Sequence, residues 1–300
     1  MSLVIVGSLA FDTIETPFER RERIIGGSGT YCALAASFFT RPKVVGVVGR
    51  DFPRTAIGLL ERRKVDLRGL QVKAGKTFHW EGRYGSDPNQ RTTVRTDLNV
   101  FRDFQPLLPP SYRSADIVFL ANIDPGLAGP VLNQLRRRPA IVALDTIRFW
   151  IETKPDALFR TLAGVDIFFA NDEEVRLLAG EGNLIKAGRR LLGRGPRVLV
   201  VKKGEHGALV FTPDFVFGVL AHPCEDVVDP TGAGDSFAGG FLGSLDGAGR
   251  RGPAQIRRAA VCGSVVASFA IEDFGVERFK TLTRKEIETR YLGFKRLVSF

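Results

Sequence analysis

An aspartate placed directly behind a glycine-rich turn is the part of this chain best suited to chemistry: Asp229-Pro230-Thr231-Gly232-Ala233-Gly234-Asp235-Ser236-Phe237. Apolar residues then recur at one-turn spacing (Phe237, Ala238, Phe241, Leu242), which predicts a helix whose N-terminus is the turn at Gly232–Gly234. Free backbone N–H groups and the positive end of the helix dipole converge there, and side chains that are absent or a single methyl let an anion reach the main chain. A carboxylate would repel a phosphate bound at that place. Asp235 makes sense instead as a base for a hydroxyl that attacks a phosphoryl group, with Gly232, Ala233 and Gly234 holding the phosphoryl charge. The plainer reading is a Gly-rich loop whose aspartate stabilises the first helical turn by about 0.3–1 kcal/mol.

Other polar residues fall where ligands of open α/β sheets collect, just past strand ends. Asp12 follows the first apolar strand, and a carboxylate there can accept hydrogen bonds from two neighbouring hydroxyls. Asn122 and Asp124 follow the strand Ile117–Leu120, and Asp145 and Arg148 follow Ile141–Leu144; ordinary loop polarity accounts for these residues equally well. Asn171-Asp172-Glu173-Glu174 reads as a helix N-cap with acids in the first turn, Glu174 completing a capping box. Lys202-Lys203-Gly204-Glu205-His206-Gly207 reads as a turn, and Gly26-Gly27-Ser28-Gly29-Thr30-Tyr31 as the glycine-rich start of an apolar helix.

The elements that must position these residues alternate. Short apolar runs at Leu3–Val6, Lys43–Val48, Ile117–Leu120, Ile141–Leu144, Ile167–Phe169 and Val198–Val201 read as buried strands. Helical patterns lie between them near 28–40, 52–64, 126–138, 155–163, 171–180 and 185–194. This order predicts a mostly parallel sheet with helices on both faces. Ala208–Phe211 and Val216–Val219 read as a hairpin, and helices close the chain around 235–245, 253–270 and 284–297. Two β-rich stretches, Thr77–Tyr84 and Arg91–Val100, interrupt the rhythm and predict an inserted hairpin. In the first, Phe78, Trp80 and Tyr84 alternate with His79, Glu81 and Arg83, so the aromatic residues should share one face.

Composition bounds the function. At 300 residues, 44% hydrophobic and 25% charged, the chain has ample material for a core, and it has no run of 18 apolar residues to span a bilayer. No signal-peptide pattern opens it, so the expected compartment is the cytoplasm, with no membrane partner. The net charge of +10 is spread along the chain among 33 acids, which argues against a nucleic-acid partner. Cys32, Cys224 and Cys262 suggest buried thiols rather than disulfides or a zinc site. There is no Gly-Lys-Ser/Thr of a Walker loop and no Gly-x-Gly-x-x-Gly at Gly7, and the three histidines are dispersed.

The Asp229–Phe237 run resembles the C-terminal signature of the ribokinase family, the PfkB carbohydrate kinases, close to residue for residue, and further family signatures follow in order along nearly the whole chain. The resemblance implies a ribokinase-like three-layer α/β sandwich with a mostly parallel central sheet and a small β lid. The kinase domain would comprise residues 1–10, 25–74 and 102–300, and the lid 11–24 and 75–101. It implies Asp235 as catalytic base and the backbone of Gly232, Ala233 and Gly234 as the anion hole. Asn171 and Glu174 match an Asn-x-x-Glu motif whose glutamate organises Mg²⁺ through water; Lys203, Gly204, Gly207 and Thr231 would border ATP. Asp229 and Thr231 would be nearest a potassium-like ion.

Asp12, Gly26 and Gly27 match the family's acceptor site, with Asn122, Asp124, Asp145 and Arg148 as further acceptor contacts, although Ile147 departs from the Asp-x-Asn-x-Arg pattern of sugar-acid kinases. The family's asparagine four residues after the second glycine is here Tyr31, which suggests an aromatic wall for a larger or flatter acceptor. The implied activity is ATP- and Mg²⁺-dependent phosphorylation of a primary hydroxyl of a sugar or sugar-derived small molecule. A nucleoside kinase of the same superfamily is the alternative, and a non-catalytic nucleotide- or sugar-binding regulator is a third. A homodimer through the lid is the assembly this resemblance allows.

Overall fold

The computed structural model describes residues 2–249 and 252–298. Its strands are β1 (Leu3–Gly7), β2 (Ala10–Glu15), β3 (Arg20–Gly26), β4 (Lys43–Gly49), β5 (Asp66–Lys73), β6 (His79–Tyr84), β7 (Arg91–Asp97), β8 (Ile117–Ala121), β9 (Ile141–Asp145), β10 (Ile167–Asn171), β11 (Val198–Lys202), β12 (Ala208–Phe211) and β13 (Val216–Val219). Nine of them form one sheet in the order β13-β12-β11-β10-β9-β8-β1-β4-β5, and four form a second in the order β3-β2-β6-β7. In the large sheet only the β11–β12 and β12–β13 pairs are antiparallel. The expected mostly parallel α/β sandwich with a small lid-like sheet is therefore the observed fold.

Continuous apolar runs make the central strands because both faces are covered. In β1, Leu3 and Ile5 point into one core with Phe119, Phe169 and Val200, while Val4 and Val6 point into the other with Val118, Phe168 and Val201. The first face is closed by the helices Ser28–Ala36, Ala233–Ala248 and Pro253–Ala270, the second by Pro155–Leu162, Asp172–Ala179 and Leu184–Leu192. Each fully buried phenylalanine of these layers contributes about 1.5–3 kcal/mol of transfer free energy. The strand register brings the C-terminal ends of β1, β8, β9, β10 and β11 to one edge, and the polar residues just beyond them meet there.

Three sequence expectations are corrected, and one strand lies where none was expected. The helix expected at 126–138 is only Ala128–Leu132 after a 3₁₀ turn at Pro125–Leu127; Gly129 and Pro130 weaken it, and the Arg136 N–H turns away to Arg113 O at 2.8 Å. Strand β5 carries no continuous apolar run because it is an edge strand paired only to β4, so the sequence does not announce it. Phe78 lies just before β6 and stacks on Phe101 at 5.4 Å, leaving Trp80 and Tyr84 to pack with Ile14 and Phe274 beneath the small sheet. Of the three free cysteines Cys32 and Cys262 are buried, but Cys224 is half-buried.

The small sheet is built by pairing β2 parallel to β6, with β3 and β7 antiparallel on its flanks. Arginines and glutamates such as Arg20, Arg83, Glu15 and Glu81 lace its exposed face; pairs of this kind are worth about 0–1 kcal/mol each.

Candidate active site

The helix Ala233–Ala248 begins where the sequence places it, with Gly232 as its N-cap in the left-handed region at φ 75°. A glycine is required there on two grounds: the positive φ, and the ring of Tyr31, which would stand 2.5 Å from any Cβ. The N–H groups of this first turn are the start of a 16-residue dipole, and Asp235 projects from the same turn. Burial and the neighbouring Asp145 push the Asp235 carboxyl up to about 6, while Lys202 and Arg91 restrain the rise. A carboxylate so tuned is ionised at neutral pH and still basic enough to accept a proton.

Lys202, the last residue of β11, extends beneath this turn. Its Nζ donates to Asp145 Oδ2 at 2.6 Å and lies 3.2 Å from where a side chain on Gly234 would begin. Burial would lower the ammonium, but Asp145, Glu174 and Asp235 raise it, so it stays charged. Glu174 accepts from Asn171 N at 2.8 Å and Asn171 Oδ1 accepts from Glu174 N at 2.8 Å, so the capping box is complete. Burial pushes Glu174 up to about 7 against the charge of Lys202. A buried acid with that little compensation, beside Asp145 and one lysine, suits a hydrated divalent cation.

A cavity of about 700 Å³ opens on the far side of the cradle. Ala233 and Gly234 form one end of its wall; Gly204 and Gly207 line it from the β11–β12 turn, and His222 and Ser268 from the segments opposite. Its size and its position at a helix N-terminus fit a nucleotide with its phosphates at Gly234. Gly204 and Gly207 take positive φ to make that turn, which Lys203 closes through its N–H to Gly207 O at 2.8 Å.

On the near side, Asp12 projects from β2 and is almost fully buried. Burial, followed by Asp229 and Asp235, pushes its carboxyl up to about 8, against the backbone N–H of Gly27. Gly26, which pairs with Ala10 across β2–β3, lies diagonally so close that a Cβ would collide with the Asp12 carboxylate. Asp229 holds the cradle from behind: it accepts from Thr231 N at 2.8 Å and from Gly275 N at 2.9 Å. Thr231 Oγ1 in turn meets the Tyr84 hydroxyl of the small sheet at 3.0 Å.

The expected residues thus divide. Asp12, Gly26, Gly27, Asp145, Glu174, Asp229, Thr231 and Asp235 converge on the cradle, and Gly204 and Gly207 on the cavity. Five do not act as expected. Tyr31 is no open wall: it is 1% exposed, its ring is packed under Gly232, and its hydroxyl has no hydrogen-bond partner among the described residues. Arg148 lies on an exposed helix face, paired with Glu152 at 2.7 Å. Asp124 caps the 3₁₀ turn through Gly126 N at 2.9 Å and pairs with Lys154, and Asn122 accepts from Trp150 Nε1 at 3.2 Å. Short polar residues after strands cap turns as readily as they bind ligands. Lys203 contributes backbone to the turn, and the lysine at the cavity is its neighbour Lys202. The position of Lys202 at the end of a parallel strand is the available signal; the aromatic alternation at Tyr84 marks a shared face but not its contact with Thr231, which depends on how the small sheet folds over.

A family profile described as pfkB family carbohydrate kinase matches residues 2–281. The chain is 30% identical over 246 residues to a cytidine kinase of Thermococcus kodakarensis, covering 81% of this chain and 87% of that protein. It is 28% identical over 298 residues to a nucleoside kinase of Methanothermobacter thermautotrophicus, covering 92% and 91%. An E. coli protein whose structure holds ATP and Mg²⁺ superposes with a TM-score of 0.80 at 19% identity, covering 97% of this chain and 99% of that one. With the fold, the glycine cradle and its aspartate in place, the chain belongs to the PfkB family of carbohydrate kinases and is a kinase.

Proposed function

We propose that this protein transfers the γ-phosphoryl group of ATP to the primary hydroxyl of a nucleoside, with Asp235 as the general base. The observation that carries the reading is a basic, largely enclosed carboxylate on the first turn of a helix whose N–H groups face a nucleotide-sized cavity. Such a helix end stabilises an anion, and a carboxylate set beside a bound phosphoryl group suits the removal of a proton from an attacking hydroxyl. The nucleoside is favoured as acceptor by the names of the two relatives. A free sugar is the second reading, favoured by the burial of Tyr31, which removes the stacking wall for a base.

In this account Asp12 and the Gly26–Gly27 backbone orient the acceptor's hydroxyls, and Asp235 accepts the proton from its primary hydroxyl. The N–H groups of Gly232, Ala233 and Gly234 hold the phosphoryl oxygens. Lys202 neutralises phosphate charge from below, and Asn171 fixes Glu174, which would hold Mg²⁺ through water. Gly204, Gly207 and the Lys203 backbone would border the nucleotide, and Asp229 and Thr231 are the residues that would hold a potassium-like ion. When bound, ATP with Mg²⁺ supplies the group to be transferred and part of the charge neutralisation.

The two-sheet division supports a catalytic body of residues 1–10, 25–74 and 102–300 under a lid of 11–24 and 75–101. The exposed Phe18 and Val94 of the small sheet would serve a homodimer through the lid. No described helix is long and apolar enough to cross a membrane, and the cytoplasm, where ATP is plentiful, is the proposed compartment.

The test is ADP release measured over panels of nucleosides, sugars, sugar acids and sugar phosphates. A nucleoside should give the highest kcat/KM, and phosphorylation of none of these acceptors would refute the reading.

A further inference from the structure

The small sheet meets the nucleotide side of the site as well as the cradle. Tyr84 closes β6 with its hydroxyl on Thr231, and the turn that follows carries the chain to the β11–β12 turn. There the Asn89 amide oxygen stands 2.0 Å from where a Cβ on Gly204 would begin, and Asn89 Nδ2 reaches Glu205 Oε1 at 3.5 Å. Pro88 and Asn89 are thereby wall residues of the cavity of about 700 Å³, beside Gly204 and Glu205.

Core packing does not require this placement. Of the turn residues Gly85 to Gln90 only Pro88 is half-buried, and the others are exposed. The turn nevertheless has a set shape: Asp87 Oδ1 accepts from Asn89 N at 2.9 Å and from Asn89 Nδ2 at 3.2 Å, and Gln90 N donates to Asp87 O at 3.2 Å. This is an Asx turn, and it aims the Asn89 side chain. The 3.5 Å approach to Glu205 is at the limit of a hydrogen bond, so the amide keeps bonding capacity for a molecule in the cavity.

The same sheet carries Asp12. In β2 that residue pairs with Trp80 of β6, the strand whose end leads into the turn, so Asp12 and Asn89 belong to one hydrogen-bonded unit. A shift of the sheet that withdraws Asn89 from Gly204 therefore moves Asp12 as well. A ligand favours the position in which it gains a contact, by as much as that contact is worth.

We propose that Asn89 contacts the bound nucleotide, and that this contact holds the small sheet, and Asp12 with it, over the site. The inference rests on the nucleotide reading of the cavity but not on which acceptor is used. The competing role is passive, a solvated turn that lies beside Gly204 and does nothing for the ligand.

The experiment uses the full chain with Mg²⁺-ADP as the probe. Trp80 and Trp150 are its two tryptophans. Trp80 packs with Ile14 and Tyr84 beneath the small sheet and outside the cavity, so in a Trp150→Phe background its fluorescence reports the sheet rather than the nucleotide. Mg²⁺-ADP should protect Trp80 from iodide quenching. Asn89→Ala should weaken ADP binding in calorimetric titration by about 3- to 10-fold, the worth of one hydrogen bond, and should abolish the protection even at saturating ADP. Asp87→Ala frees the turn without altering the cavity wall, and it should abolish the protection too.

Unchanged ADP affinity in Asn89→Ala, protection that persists in it at saturation, or no protection in the parent protein would overturn the proposal. A parent protein that does not bind Mg²⁺-ADP would overturn it together with the nucleotide reading. One that meets these expectations but phosphorylates no acceptor would retain this inference and lose the acceptor reading.

Discussion

Replacing Asp235 by asparagine should make the ligand-free protein more stable while removing its activity. The carboxyl is lifted from 3.8 in the unfolded chain to about 6, chiefly by burial and then by Asp145. A tenfold change in proton affinity corresponds to about 1.4 kcal/mol, so the ionised group costs the fold up to about 3 kcal/mol at pH 8. The figure is an upper bound because Asp235 keeps an opening to solvent. A raised carboxyl favours the fold below the unfolded value and loses that contribution as pH rises through about 6. The penalty is therefore present at pH 8 and shrinks to about 1 kcal/mol by pH 4.5. Asparagine carries no such charge, and whatever its amide costs in the site does not vary with pH. Urea denaturation of both proteins between pH 4.5 and 8 should then show their stability difference moving by up to about 2 kcal/mol in favour of Asp235→Asn as pH rises. A difference independent of pH, or one that moves the other way, would refute the electrostatic account of the base.

Three further outcomes follow from the same geometry. The acids Asp12 and Asp235 interact, so kcat/KM should rise with pH in two steps with apparent values near 6 and 8, and Asp12→Asn should leave one step near 6; a profile flat from pH 5 to 9 would contradict this. Lys202→Met strands Asp145 as an unpaired buried acid and should cost about 3–5 kcal/mol by denaturant titration, most of it recovered when Asp145→Asn is added. Gly26→Ala drives a methyl into the Asp12 carboxylate, so it should raise the acceptor KM by about 10-fold or more while the ATP KM holds, and steady-state kinetics with each substrate varied will separate the two.

How much the sequence discloses depends on whether a residue's place is set locally or across the fold. The cradle is local: Gly232 and the periodic Phe237, Ala238 and Phe241 define a helix start, and the helix begins there. The apolar runs of β1, β8, β9, β10 and β11 are legible because strands covered on both faces need no alternation, whereas the edge strand β5, with Asp66, Arg68, Gln71 and Lys73, does not declare itself. The capping box at Asn171 and Glu174 is likewise local and forms as read.

Side-chain partners across the chain are another matter. Asp124 and Arg148 stand after strands as a ligand would, yet Lys154 and Glu152 engage them, and nothing in their own neighbourhood announces those partners. Tyr31 stands where an acceptor contact is expected, but the close approach of Gly232 buries its ring. Tyr84 meets the cradle only because the small sheet folds over it, a contact that joins residues 147 positions apart at Thr231.

The central claim is that Asp235 takes the proton from an attacking hydroxyl, and single-turnover phosphoryl transfer tests it most directly. With enzyme in excess over ATP and the best acceptor at saturation, Asp235→Asn should slow the transfer step by at least about 10²-fold at pH 8 while binding ATP as the native protein does. A transfer rate within a few-fold of the native one would contradict the account, whatever acceptor is used.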